Sequence, residues 1–234
     1  MLDAFWTWLT NSPQDSLIPI LVAGLLVGLA SGGVEKYWIR LRIVATWVHE
    51  SGHAMAAIIL GRDVTGIRIN RDTSGVTHSV GKRSRFQQSI VSFMGYPAPA
   101  ILGSLLLYLL ASAQLHLAIF ILILLPILML LLQRSALGIF LTLVGIVVAG
   151  LLAAAPQALA TLAVSIFCGY LLVASPRTIL ELRHFRKRGS AVEGEHSDAD
   201  TLAALTRVPQ SVWEAIFLLA SIGLPVGAIM FALR

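Results

Sequence analysis

The stretch Ile43-Val44-Ala45-Thr46-Trp47-Val48-His49-Glu50-Ser51-Gly52-His53-Ala54-Met55-Ala56-Ala57-Ile58-Ile59-Leu60 decides how this chain is read. Its two ends are apolar enough for the middle of a membrane helix, and its centre is an H-E-x-x-H motif. On a helix, residues four apart share a face. Both imidazoles can therefore bind one metal ion while Glu50 stands beside them to move protons. Ionisable groups at membrane depth are costly to bury, so a functional role is their default reading. The competing reading, polar groups paired for helix packing, must explain three such groups within five residues.

The surrounding composition agrees with a membrane setting. Of 234 residues, 57% are hydrophobic and 12% charged, with a mean hydropathy of +0.83, against about 25% charged in an ordinary soluble domain. This is the profile of a multi-pass membrane protein embedded in a lipid bilayer. The net charge of +5 does not indicate nucleic-acid binding, because the basic residues lie in short segments between apolar runs, as cytoplasmic membrane loops do. Cys168 is the single cysteine, which excludes an intramolecular disulfide and a cysteine-rich zinc site. Asp3 and Asp15 stand where a signal peptide would be basic. The first apolar run therefore reads as a retained span, with Trp6 and Trp8 at an interface.

Apolar runs of membrane-spanning length predict an all-α membrane protein of about seven transmembrane helices with a small β-hairpin after the second. The runs are residues 17–34, 41–60, 90–111, 115–132, 137–154, 158–175 and 212–233 of one polytopic domain. Gly95-Tyr96-Pro97-Ala98-Pro99-Ala100 should kink or break the third, as a packing bend or beside a cavity. Residues 64–80 alternate around Asp72-Thr73-Ser74-Gly75 and read as two short strands and a turn, against an amphipathic surface loop. An open strand edge here would present Ile67, Ile69, Gly75 and Val76 to a substrate. Residues 176–211 read as a cytoplasmic loop with a short helix near Asp198–Thr206.

Seven spans place the segments 61–85, 133–136 and 176–211 on one face, with thirteen Lys and Arg against four on the other. The positive-inside rule makes that face cytoplasmic. A ligand from the long loop then reaches the histidines without crossing the bilayer.

A catalytic zinc takes three protein ligands and leaves a fourth position open, and a neighbouring glutamate accepts the proton of the bound water. His49 and His53 are two ligands by spacing and Glu50 the base. Motif and setting point to an intramembrane metallopeptidase. Asp198 and Asp200 are acidic candidates for the third ligand, and His196 another. On local sequence alone the aspartates read better as the first turn of a helix capped by Ser197. His78, His116 and His184 read as loop or interface residues, Tyr96 as packing, and Trp38, Trp47 and Trp213 as an interfacial belt.

Val48-His49-Glu50-Ser51-Gly52-His53-Ala54, Gly61-Arg62-Asp63-Val64-Thr65-Gly66-Ile67, Asp72-Thr73-Ser74-Gly75-Val76-Thr77 and Gly95-Tyr96-Pro97-Ala98-Pro99-Ala100 resemble the site-2 protease superfamily. Within it they are similar to the compact bacterial members called peptidase M-fifty-B-like. The run from Ser197-Asp198-Ala199-Asp200 to Pro209 is similar to that group's late Ser-Asp-Ala motif. The resemblance covers about residues 40 to 215. It implies zinc-dependent cleavage of a peptide bond in or beside a substrate protein's membrane helix. It also implies His49, His53 and an aspartate as ligands, Asp198 first and Asp200 second. One departure stands out: better-known members place their aspartate in an Asp-Gly pair, and this chain has none.

Two other classes compete. A catalytically inactive relative would serve as a membrane scaffold or chaperone. A metal transporter would carry polar residues along several spans, and the runs 115–132, 137–154 and 158–175 have almost none.

Overall fold

A computed structural model describes residues 18–81, 84–187 and 197–232; Trp6, Trp8 and His196 lie outside these ranges. The elements are α1 (Ile18–Gly33), α2 (Glu35–Ile59), β1 (Asp63–Ile69), β2 (Gly75–Val80), α3 (Arg85–Phe93), α4 (Ala98–Ala111), α5 (Leu115–Leu130), α6 (Ala136–Ala154), α7 (Gln157–Lys187), α8 (Asp198–Thr206) and α9 (Gln210–Ala232). The chain is a helical, multi-pass membrane protein with one small hairpin.

The expected seven spans are not there. Among the described residues, three helices are long and apolar enough to cross a membrane by themselves: Ala136–Ala154, Gln157–His184 and Gln210–Phe231. The number rises to five if each of two bent helix pairs counts as one span. The first two expected spans are such a pair, α1 and α2, bent by 96°. With 16 residues, α1 reaches about 24 Å, short of a hydrocarbon core of about 30 Å. In turn, α2 begins with Glu35, Lys36, Arg40 and Arg42 and carries the motif at its centre, so it is too polar to qualify alone. The expected third span breaks after Met94, where α3 and α4 meet at 60°. The fourth, α5, is again 16 residues and contains Pro126. Apolar run length cannot tell a span from a shorter helix that turns.

The sharp bend between α1 and α2 is held from α7. Gly24, Gly28 and Gly32 form the buried stripe of α1. A Cβ on Gly28 would lie 2.1 Å from the Ile166 carbonyl oxygen, and one on Gly169 would lie 2.4 Å from that of Leu25. The two backbones touch, as small residues at four-residue spacing permit. Past Pro176, α7 continues through residues expected to be loop because they have partners. Arg177 donates to the Gly32 and Gly33 carbonyls at 2.8 and 2.6 Å and pairs with Glu35, while Trp38 Nε1 donates to Glu181. The main core lies where α2, α4, α5 and α7 meet, around Trp38, Val48, Leu106, Ile119, Val164 and Leu171.

The hairpin lies against α2. Ile67 and Ile69 are buried with Ala54 and Met129, whereas Val76, His78 and Val80 point outward. The outer edge of β1 is occupied: Ile67 N–H donates to Leu132 O, Arg134 N–H donates to Ile67 O, and Ile69 N–H donates to Ser135 Oγ, all at 2.8–2.9 Å. The segment between α5 and α6 thus runs beside β1 as a third strand-like piece.

Candidate metal and catalytic site

His49 and His53 come from adjacent turns of α2, and their Nε2 atoms lie 3.1 Å apart. Asp198, the first residue of α8, brings Oδ2 to 3.0 Å from His49 Nε2 and 3.2 Å from His53 Nε2. Three electron-pair donors therefore form a nearly equilateral triangle. Both contacts to Asp198 are at ion-pair distance, yet neither has the direction of a hydrogen bond, which leaves this buried oxygen without one. Three donors on a tetrahedral metal with bonds of about 2.0–2.2 Å would sit roughly 3.3 Å apart, close to what is seen. This His-His-Asp set can hold a metal ion.

Two further observations support that fit. His53 Nδ1 is 2.7 Å from the Val91 carbonyl. A carbonyl can only accept, so Nδ1 carries the proton and Nε2 keeps its lone pair toward the triangle. Gly95 lies on the other side. A Cβ there would come within 2.4 Å of His53 Nε2 and 2.5 Å of His49 Nε2, so the missing side chain leaves the donor atoms open. Tyr96 meets His49 edge-on at 4.8 Å and stacks on Phe217, and the break in the third expected span thus places both neighbours against the site.

Glu50 is 5% exposed and faces the hairpin. Thr77 Oγ1 is 2.6 Å from Glu50 Oε2, and Gly75 packs so tightly on Glu50 that a Cβ would lie 2.6 Å from its Cγ. Thr46 Oγ1, one turn earlier on α2, donates to the Thr73 carbonyl at 2.8 Å and ties down the hairpin tip.

Asp198 is positioned from far along the chain. Ser197 and Asp200 cap α8 reciprocally. Arg186 of α7 then donates to Ser197 Oγ at 2.6 Å and to Asp200 at 2.7 Å, and it pairs with the buried Glu214 of α9. Arg183 adds a contact to Glu214 at 3.1 Å. Ala199 and Leu202 fix the other face of α8 against Ile179 and Phe217. Burial is the largest single influence on the Asp198 carboxyl and pushes it up, but in the metal-free site the two imidazoles of His53 and His49 together outweigh it and hold the group below the usual carboxylate range. For Asp200, too, burial is outweighed, here by hydrogen bonds from Ser197 and the charge of Arg186, which lower its pKa.

The structure therefore brings His49, His53 and Asp198 together with Glu50 alongside, and turns Asp200 toward Arg186. Of the four residues offered to a substrate, Ile67 and Ile69 are buried on the covered strand, while Gly75 and Val76 belong to β2. His78 and His184 are exposed. The indole N–H groups of Trp38, Trp47 and Trp213 are taken by Glu181, Thr142 and Thr206. Thr77, Gly95, Arg186 and Glu214 were not foreseen. Gly95 sat inside a motif read for its prolines, and the other three gain meaning from contacts between distant segments.

A family model described as Peptidase M50B-like matches residues 18–228. No curated protein and no solved structure matches the chain.

Proposed function

The chain belongs to the Peptidase M50B-like family, and from that premise we propose that it is a zinc-dependent intramembrane endopeptidase acting on a transmembrane helix of a substrate protein. The observation that carries the reading is the donor triangle of His49, His53 and Asp198 with the Glu50 carboxylate on the adjoining face of α2. A zinc ion held there would polarise the scissile carbonyl and acidify the attacking water. Glu50 takes the proton from that water and hands it to the leaving amine. Thr77 and Gly75 hold its carboxylate in place, and Val91 keeps the His53 tautomer.

A membrane helix hides its carbonyls in its own hydrogen bonds, so the substrate must unwind before it can react. An extended segment then needs new backbone partners, and β2 offers them. Ile67 spends both its backbone groups on the segment 132–134. Its pairing with Thr77 is thus of the type that makes no hydrogen bonds across the hairpin. The N–H and C=O of Thr77, and by the same alternation those of Gly75, face the free edge, where no group among the described residues takes them. Strand addition at this edge would hold the substrate beside Glu50.

The side of the membrane follows from charge. With three to five spans among the described residues in place of seven, the charge that bears on orientation is that at the end of the molecule carrying the site. Arg62, Arg68, Arg71 and Arg134 lie in or beside the hairpin, Arg186 holds the cap of α8, Arg183 meets Glu214 beside it, and Arg207 ends α8. The positive-inside rule puts this end in the cytoplasm.

The test is cleavage of a model transmembrane substrate in liposomes by the wild type and by Glu50→Gln, with bound zinc measured on both. Removing a general base should lower turnover by about 10²–10⁴-fold while leaving zinc content unchanged. Equal cleavage by both proteins would overturn the peptidase mechanism. An activity on membrane helices that needs neither zinc nor Glu50 would instead identify a scaffold.

A further inference from the structure

The contact between β2 and the motif helix goes beyond holding the hairpin in place. A glutamate carboxylate turns about a broad, two-fold χ3 torsion, so burial alone does not aim its oxygens. Here the Thr77 hydroxyl reaches both Glu50 Oε2, at 2.6 Å, and the Glu50 main-chain carbonyl, at 3.1 Å. A hydroxyl has one proton to give, and the shorter contact to the stronger acceptor places it on the carboxylate. Threonine is suited to this, because its β-branch stiffens χ1 and a strand fixes the backbone beneath it. Gly75, two residues back on the same face, closes on Glu50 Cγ and limits the rest of the side chain. The same Thr77 directs its backbone N–H and C=O off the free edge of β2.

We propose that Thr77 is the positioning residue of the base, aiming the Glu50 carboxylate through its hydroxyl while its backbone sets the register of the substrate strand. The inference rests on the peptidase reading. One residue then fixes both reacting partners relative to each other, so the scissile peptide that pairs opposite Thr77 is the one presented to Glu50. The hydroxyl affects orientation at the transition state, whereas the backbone groups affect binding, and substitution of the side chain separates the two.

The experiment compares Thr77→Val, which keeps the shape and loses the hydroxyl, with Thr77→Ser, which keeps the hydroxyl. Both are measured with a model transmembrane substrate in liposomes, alongside bound zinc and thermal stability. Misplacing a catalytic group by about 1 Å costs on the order of 10²-fold. Thr77→Val should accordingly lower kcat between about 10- and 100-fold with KM unchanged and zinc retained, and Thr77→Ser should recover most of kcat. Thr77→Ala serves as a second hydroxyl-free variant should the valine one fail to fold. A wild-type kcat in a hydroxyl-free variant, a change confined to KM, equal losses in the serine and valine variants, or loss of zinc from all of them would overturn the proposal. A wild type that cleaves independently of Glu50 marks failure of the peptidase reading itself. A Glu50-dependent wild type with an unaffected Thr77→Val marks failure of this proposal alone.

Discussion

Two walls meet at the donor triangle, and they are built by opposite means. On one side, α2 supplies His49, Glu50 and His53 from little more than a single turn of a helix buried in the main core. On the other side, Asp198 opens a nine-residue helix that has two buried residues of its own. That helix owes its place to Arg186, Glu214 and the cap at Ser197. The first wall is stiff because its ligands share a helix; the second is stiff because ion pairs from α7 and α9 converge on it. A site assembled this way should lose metal in one manner when a ligand is removed and in another when the clamp is loosened.

The largest effect is expected from removing the ligand of the second wall. Asp198→Ala takes away one of three donors, and its contribution to the helix itself is small. Removing groups that merely orient ligands costs about 10–100-fold in metal affinity, so loss of the ligand should cost more than that, with thermal stability of the metal-free protein little changed. Competition with a chelator of known affinity would measure it. Full zinc loading by this variant would break the comparison, since the second wall would then contribute no ligand.

An intermediate effect is expected from Arg186→Met. The substitution keeps much of the stem and removes the charge that joins Ser197, Asp200 and Glu214. Zinc affinity should fall by about 10–100-fold, and here, unlike Asp198→Ala, the metal-free protein should also melt earlier. Glu214 is 5% exposed and would keep Arg183 alone as its partner, and weakening a buried ion pair is destabilising. An unchanged affinity together with a lowered melting temperature would mean that the clamp supports the fold without aligning Asp198.

The same contrast explains what could be read from the sequence. His49, Glu50 and His53 were legible because a helix turns spacing into proximity, and α2 is a helix throughout. The hairpin was legible from its turn residues. Its orientation was not, because the apolar alternation at Val76, His78 and Val80 faces outward, and Gly75 and Thr77 face the glutamate. The span count failed because run length records apolarity without direction, and so could not register the turn at Val34; the break after Met94 was legible only in the prolines at 97 and 99. The four-residue spacing of the glycines at 24, 28 and 32 is a local signal of close helix packing. The clamp on Asp198 lay beyond local reading: Arg186, Ser197 and Glu214 come together only once α7, α8 and α9 are packed.

The smallest effect distinguishes the two aspartates, which are two residues apart. Residues at that spacing lie on nearly opposite faces of a helix, so Asp198 and Asp200 cannot both point at the triangle. Asp200 instead accepts from the Ser197 N–H at 2.9 Å and from Arg186. Asp200→Ala removes half of the reciprocal cap, worth about 1 kcal/mol, but leaves Arg186 bound to Ser197 and Glu214. Melting should therefore drop by a few degrees, about what 1 kcal/mol gives in a protein of this size, and zinc affinity should remain within a few-fold of wild type. The local reading of these aspartates as the first turn of a capped helix then describes Asp200, and the metal reading describes Asp198. If Asp200→Ala lost zinc as completely as Asp198→Ala, the cap would be part of the metal site, and the two walls could no longer be separated into ligand and support.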